Sequence, residues 1–179
     1  MANTNSLVTA VNETYFNNFM ADDGTTHRVR DGQTFIGTAF GNLAVPAGAT
    51  IDGIEVIMEG YAGVSDHDAQ VGDWIYVSND GGSSFSTAQS VTTGVWSINS
   101  GVHAIEVAGG ASELWGKSWD ANSANDIQVK MTWSTTGGDA VYLDYVKVIV
   151  YYTEDQPDPP ALKMTSGILQ LKSGKVKIG

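Results

Sequence analysis

Apolar and polar residues alternate with a period of two along much of the chain. In "DIQVKMTW", Ile127, Val129, Met131 and Trp133 fall on one face and Gln128, Lys130 and Thr132 on the other, the pattern of a half-buried strand. "IDGIEVIMEG" sets Ile54, Val56 and Met58 against Glu55 and Glu59 in the same way, and "VGDWIYVS" and "VHAIEVAG" are shorter versions. "AVYLDYVKVIVYY" is apolar on both faces, with Val146, Val148 and Val150 opposing Leu143, Tyr145 and Ile149, which suits a central strand. Breaks rich in Gly and Pro, such as "VPAGAT", "NDGG" and "STTGGD", separate these runs, and a single helical turn is predicted within "GKSWDANSAND". Half-buried strands must cover their apolar faces with a second sheet, so residues 1–152 are predicted to form an antiparallel β-sandwich.

Two further parts follow it. "TEDQPDPP" (153–160) holds three of the four prolines and reads as a stiff linker. Residues 161–179 form a β-rich tail in which "ILQLK" and "KVKIG" flank Ser173-Gly174, the pattern of a hairpin. That register pairs Leu171 with Val176 and Leu169 with Ile178 on an apolar face, and sets Lys172 against Lys175 and Gln170 against Lys177 on the other. "LKMTSGILQ" is partly echoed in "LKSGKVKIG", as repeated short strands would be. An isolated hairpin with opposed like charges is marginal in water, so the tail is predicted to need a partner. Copies of itself about a symmetry axis, most simply a trimer, or an acceptor sheet on another protein would serve.

The tail carries four of the chain's 9 basic residues and no acid, which leaves 5 basic groups against all 20 acidic ones in the rest. An acidic body disfavours nucleic acid, whose binding rests on neutralising phosphates. The absence of cysteine removes disulfide and thiolate chemistry. "MANTNSLVTAVNETYF" lacks the basic and apolar regions of a secretory signal, and the most apolar stretch is too short for a membrane span, so synthesis in a host cytoplasm without export is expected.

"SNDGGSSF" resembles the Asp-box of sialidases and related proteins through Ser78, Asp80, Gly82, Ser84 and Phe85. In those families the motif is a hairpin turn, remote from the catalytic centre and repeated once per propeller blade. Here it occurs once, without the period of about 40–45 residues that a propeller needs. Sialidase resemblance also implies three arginines on the substrate carboxylate, and this chain has only Arg28 and Arg30. The motif is therefore expected to be a turn, with Asp80 accepting backbone hydrogen bonds, Gly81-Gly82 at positive φ and Phe85 re-entering a strand.

A second resemblance spans several blocks. "AVPAGATIDGIEVIMEGYA", "SNDGGSSFS", "LWGKSWDANSANDIQVKMTW" and "VYLDYVKVIVYY", with "FMADDGTTHRV" ahead of them, follow the order seen in a jelly-roll domain of bacteriophage and bacterial surface proteins. It covers roughly residues 15–152. The resemblance implies an all-β, antiparallel jelly-roll β-sandwich, and similar domains serve as capsid decoration, head-fibre or spike subunits and as carbohydrate-binding modules.

Candidate chemistry is sparse. His27, His67 and His103 are scattered without ligand spacing and read as surface or strand residues. Asp66, Asp68 and Asp73 make an oxygen-rich loop that could hold Ca²⁺, and Asp22 and Asp23 raise the same question, but neither has EF-hand spacing, so solvated turns are expected. No G-x-S-x-G elbow or other nucleophile context occurs, and no catalysis is expected. Trp115 and Trp133 read as core. Trp74 and Tyr76 share a strand face that would form a small sugar-stacking platform if it points outward, core packing being the other reading. A start at Met1 with an appended tail fits a complete small subunit. The expectation is a non-enzymatic phage virion protein on the particle exterior, a homo-oligomer that contacts a capsid or other virion protein through Leu169, Leu171, Lys172, Lys175, Val176, Lys177 and Ile178. The alternative is an adhesion module that binds a host surface glycan.

Overall fold

The computed structural model describes residues 2–7, 10–11, 24–30, 32–40, 43–62, 74–90, 102–132, 140–154, 163–165 and 168–170. In chain order these form β1 (Ala2–Leu7), β2 (Ala10–Val11), β3 (His27–Arg30), β4 (Thr34–Thr38), β5 (Thr50–Ala62), β6 (Trp74–Ser78), β7 (Gln89–Ser90) and β8 (Ala104–Gly110). The short helix α1 (Ala121–Asn125) precedes β9 (Gln128–Thr132) and β10 (Ala140–Thr153). β11 (Lys163–Thr165) and β12 (Ile168–Gln170) lie in the tail.

Strands β3 to β10 are nested antiparallel pairs: β3 with β10, β4 with β9, β5 with β8 and β6 with β7. The first half of this stretch thus runs back along the second half as a two-stranded ribbon. The ribbon closes on itself because β10 also pairs with β5, and β9 also pairs with β6. Two antiparallel sheets result. One has the order β1-β10-β5-β8, with β1 and β3 sharing the free edge of β10, and the other the order β2-β4-β9-β6-β7.

The sheets pack as a sandwich because each strand sends alternate side chains inward. Ile54, Val56 and Met58 of β5 are fully buried and Glu55, Ile57 and Glu59 are not, which is the alternation read in the sequence. From the second sheet Phe35, Ile75, Val77, Val129 and Met131 complete the core. Ile127 is buried with them, whereas Trp133 lies outside the described residues. The predicted helical turn is α1, whose Ala121 and Ala124 face the core and whose Asp120 caps the N-terminus by accepting from the Ser123 amide at 2.7 Å.

In β10 the expected alternation breaks. Val146, Val148 and Val150 point inward and Tyr145 pairs with Glu59 on the outer face, yet Leu143 is buried as well instead of opposing them. The reason is a bulge: Leu143 pairs with Gly60 and Tyr145 with Glu59, so Asp144 is an extra residue in the strand. One inserted residue reverses the parity, and Val141 and Leu143 bury on one side of it while the even-numbered valines bury on the other.

Trp115, foreseen as core, fastens the end of β8 to β5. Its indole is buried, its backbone takes a positive φ of 59°, and its Nε1 donates to the Ile54 carbonyl at 3.0 Å. Glu113 holds the same loop twice, its carbonyl accepting from the Ile54 amide at 2.9 Å and its carboxylate from the Trp115 amide at 2.6 Å. The lock depends on Gly109 (φ 83°), because a Cβ there would collide with the Ile54 carbonyl and come within 2.9 Å of the Trp115 ring.

In the tail, β11 pairs with β12, Met164 opposite Leu169. These strands flank the earlier Ser166-Gly167, one echo upstream of the predicted turn. Of the predicted hairpin, 168–179, only Ile168–Gln170 is described, paired with β11; its turn and second strand lie outside the described residues.

Gly109→Ala should lower stability by about 2–5 kcal/mol, combining the left-handed backbone penalty with overpacking. Gly32→Ala, at a similar φ of 74° but with nothing within 4 Å of its Cβ, carries only the backbone cost of about 1–2 kcal/mol. Urea denaturation of the two variants reads the difference, and equal losses would show that the close approach of Ile54 and Trp115 to residue 109 costs nothing.

Candidate functional site

The blocks that look most like motifs are occupied with architecture. In the turn after β6, Asp80 accepts from the Ser84 amide at 2.9 Å and from the Ser84 hydroxyl at 2.5 Å, while the Ser78 hydroxyl donates to it at 2.7 Å. Ser78 Oγ in turn accepts from the Gly82 amide at 2.9 Å, and Gly81 and Gly82 take φ of 67° and 85°. Lys117 donates to the Ser84 hydroxyl at 3.0 Å and to Asn79 at 3.2 Å, which ties this turn to the loop after Trp115. Phe85 does not re-enter a strand. It lies half-buried in an irregular segment beneath the Lys130 ammonium, 4.6 Å from its ring centroid, because Ser86 closes the loop by bonding Val77. Likewise Asn125 clamps Val45 of "AVPAGAT", accepting from its amide at 2.8 Å and donating to its carbonyl at 3.0 Å.

Hydrogen bonds to Ser84 and Ser78 hold the Asp80 carboxyl well below the usual carboxylate range. The same cause, from Ser123, lowers Asp120. Burial lowers His27, and burial with the neighbouring Glu55 carboxylate, 3.3 Å from its hydroxyl, raises Tyr151.

A different arrangement stands on the outer face of the first sheet. Cross-strand register aligns Arg28 of β3, Tyr142 of β10 and Tyr61 of β5, with His103 just ahead of β8 next in the row. Tyr61 stacks against Tyr142 with centroids 4.9 Å apart and planes 1° apart, and against His103 at 5.6 Å and 20°. Both faces of Tyr61 are therefore covered, and the imidazole is held in a defined plane. Beside the stack, His103 Nδ1 lies 3.2 Å from Glu59 Oε1 and 3.5 Å from Asp144 Oδ2, and the Gly24 amide donates to the same Asp144 oxygen at 3.1 Å. Glu59 and His103 are about four-fifths buried, and Asp144 is buried almost completely. Among the described residues this is where metal-ligand side chains converge, their ligand atoms all within 4.8 Å of one another.

Nothing local in the sequence announces this cluster. Its members come from β5, from β10 and from the residue just ahead of β8, and Asp144 follows Tyr142 on the outer face, beside Glu59. The sequence reads His103 as a surface or strand residue, since ligand-spacing rules see only neighbours in sequence.

The other candidates are placed as follows. Tyr76 is half-buried on the outer face of β6 while Ile75 and Val77 face the core, and the Lys130 ammonium sits 3.9 Å from its ring centroid. The backbone of Trp74 is in the same strand, opposite Thr132 and Ser90. Leu169 is in β12. Asp22, Asp23, Asp66, His67, Asp68, Asp73, Leu171, Lys172, Lys175, Val176, Lys177 and Ile178 lie outside the described residues. Comparison with protein families, with curated proteins and with solved structures finds no match to the chain.

The depressed Asp80 carboxyl gives a signed pH dependence. Its contribution to stability is complete above the ordinary aspartate value of about 3.9 and is lost as pH falls towards the lower folded-state value. The melting-temperature gap between the wild type and Asp80→Asn should therefore be widest near neutrality and shrink steadily below about pH 4. A gap independent of pH would show that the carboxylate charge has no part in the turn.

Proposed function

We propose that the chain is a non-enzymatic structural subunit of a phage virion, a jelly-roll sandwich exposed on the particle surface as a capsid decoration, head-fibre or spike protein. The nested pairing of β3–β6 with β7–β10 is the observation that carries this reading. Nested pairing of eight strands across two sheets supports a jelly-roll plan, one that viral capsid and lectin domains share. The plan alone admits many functions. Further support comes from the resemblance of "AVPAGATI", "DGGSSF", "LWG" and "SAN" to phage surface domains and from the use these blocks find here: the Asn125 clamp, the Asp80 turn and the Trp115 lock all serve the frame. Assembly into a homo-oligomer, with a trimer favoured, or attachment to another virion protein falls to the tail, whose strands β11 and β12 form a pair apart from both sandwich sheets.

Deleting residues 161–179 should leave the melting temperature of the sandwich unchanged while reducing the light-scattering mass from that of an oligomer, three chains in the favoured case, to that of a monomer. Equal masses for the full and truncated chains would place the contact elsewhere or remove it. A glycan array probed with the full chain tests the adhesion alternative, and saturable binding to one glycan class, lost in Tyr76→Ala, would favour that alternative over a purely structural role.

A further inference from the structure

We infer that Glu59, His103 and Asp144 form a binding site for a single divalent transition-metal ion of the zinc type. Two observations point past an ordinary ion pair. The first is spacing. A charge-assisted N–H···O bond between imidazolium and carboxylate contracts to about 2.7–2.9 Å. Here one ring nitrogen stands 3.2 Å from one carboxylate oxygen and 3.5 Å from the other, and its single proton cannot serve both well. Around a tetrahedral ion with bonds of about 2.0–2.2 Å, neighbouring ligand atoms sit about 3.3–3.6 Å apart; the two separations from His103 Nδ1, 3.2 and 3.5 Å, are close to this, and all three ligand atoms lie within 4.8 Å of one another.

The second observation is support from outside the ligand set. Metal sites orient their ligands through neighbouring groups. Tyr61 stacks on the His103 ring, itself backed by Tyr142, and the Gly24 amide fixes the Asp144 carboxylate. Alternation from Tyr142 and Leu143 sets Asp144 on the outer face beside Glu59, and the bulge there returns Val146 to the inner face. One imidazole with two carboxylates is a mixed nitrogen and oxygen set, which suits zinc-like ions better than the all-oxygen preference of Ca²⁺ or Mg²⁺. Three protein ligands leave a coordination position for water or for a donor from a partner. This site is independent of the tail and of the proposed virion role, so either can fail without the other.

The test is calorimetric titration of the chelator-treated full chain with Zn²⁺, and with Ca²⁺ and Mg²⁺ for comparison. One Zn²⁺ per chain should bind with micromolar or tighter affinity, accompanied by a rise in melting temperature. Tyr61→Leu should weaken binding by about tenfold, the scale of a lost orienting group, and Glu59→Gln and His103→Ala by more. His27→Ala should leave it unchanged. Circular dichroism verifies that each variant is folded, and the visible spectrum of the Co²⁺-loaded wild type gives a readout free of mutation, with the intense bands of a tetrahedral site expected. No saturable Zn²⁺ binding, binding indifferent to both Glu59→Gln and His103→Ala, a Co²⁺ spectrum of the hydrated ion, or tighter Ca²⁺ than Zn²⁺ binding would each overturn the assignment.

Discussion

The ladder between β5 and β10 is the constraint on which the rest of the fold depends. Each nested pair could exist in an open ribbon, and a two-stranded ribbon cannot bury an apolar face. Pairing β10 with β5 as well as with β3 turns that ribbon into a sheet, and the β6–β9 pairing does the same for the opposing layer. Ile54, Val56 and Met58 on one strand and Val146, Val148 and Val150 on the other then lie side by side on the inner face, all fully buried. At about 1.5–3 kcal/mol for each such side chain, this strip is a large contiguous source of stabilisation.

That ladder also links core to surface. The bulge at Asp144 lets both ends of β10 present apolar residues inward although the sequence changes parity in its middle. On the other face, Asp144 at the bulge stands next to Glu59 and His103, in the same patch as the stacked Tyr61 and Tyr142. Packing and the candidate ion site thus share one backbone irregularity. A change that regularised the strand would disturb both.

The sequence made the alternating strands, the helical turn and the Asp-box-like turn legible, because each rests on neighbours close along the chain. Val129 and Met131 bury as their period of two requires, and Gly81 and Gly82 take the positive φ that the turn needs. The parity of Leu143 was not legible, since a bulge depends on what the partner strand offers: Gly60 and Glu59 set the register there. Nor was the Glu59–His103–Asp144 cluster, assembled by register across three strands. Phe85 was misread for a similar reason, as the Ser86 bonds that close its loop cannot be inferred from aromatic character alone. The tail shows the ambiguity of repeats, since Ser-Gly occurs in it twice and the described strands flank the first occurrence.

Native-state hydrogen exchange tests the role of the β5–β10 ladder most directly. If this ladder closes the sandwich, the amides of Val56, Met58, Val148 and Val150 exchange only through global unfolding, with one shared opening free energy that equals the stability from denaturant titration. Amides of the short edge strands β2 and β7 should exchange far faster. Opening of β10 at a lower free energy than β5, with the second sheet still protected, would contradict the claim that one ladder holds the two layers together.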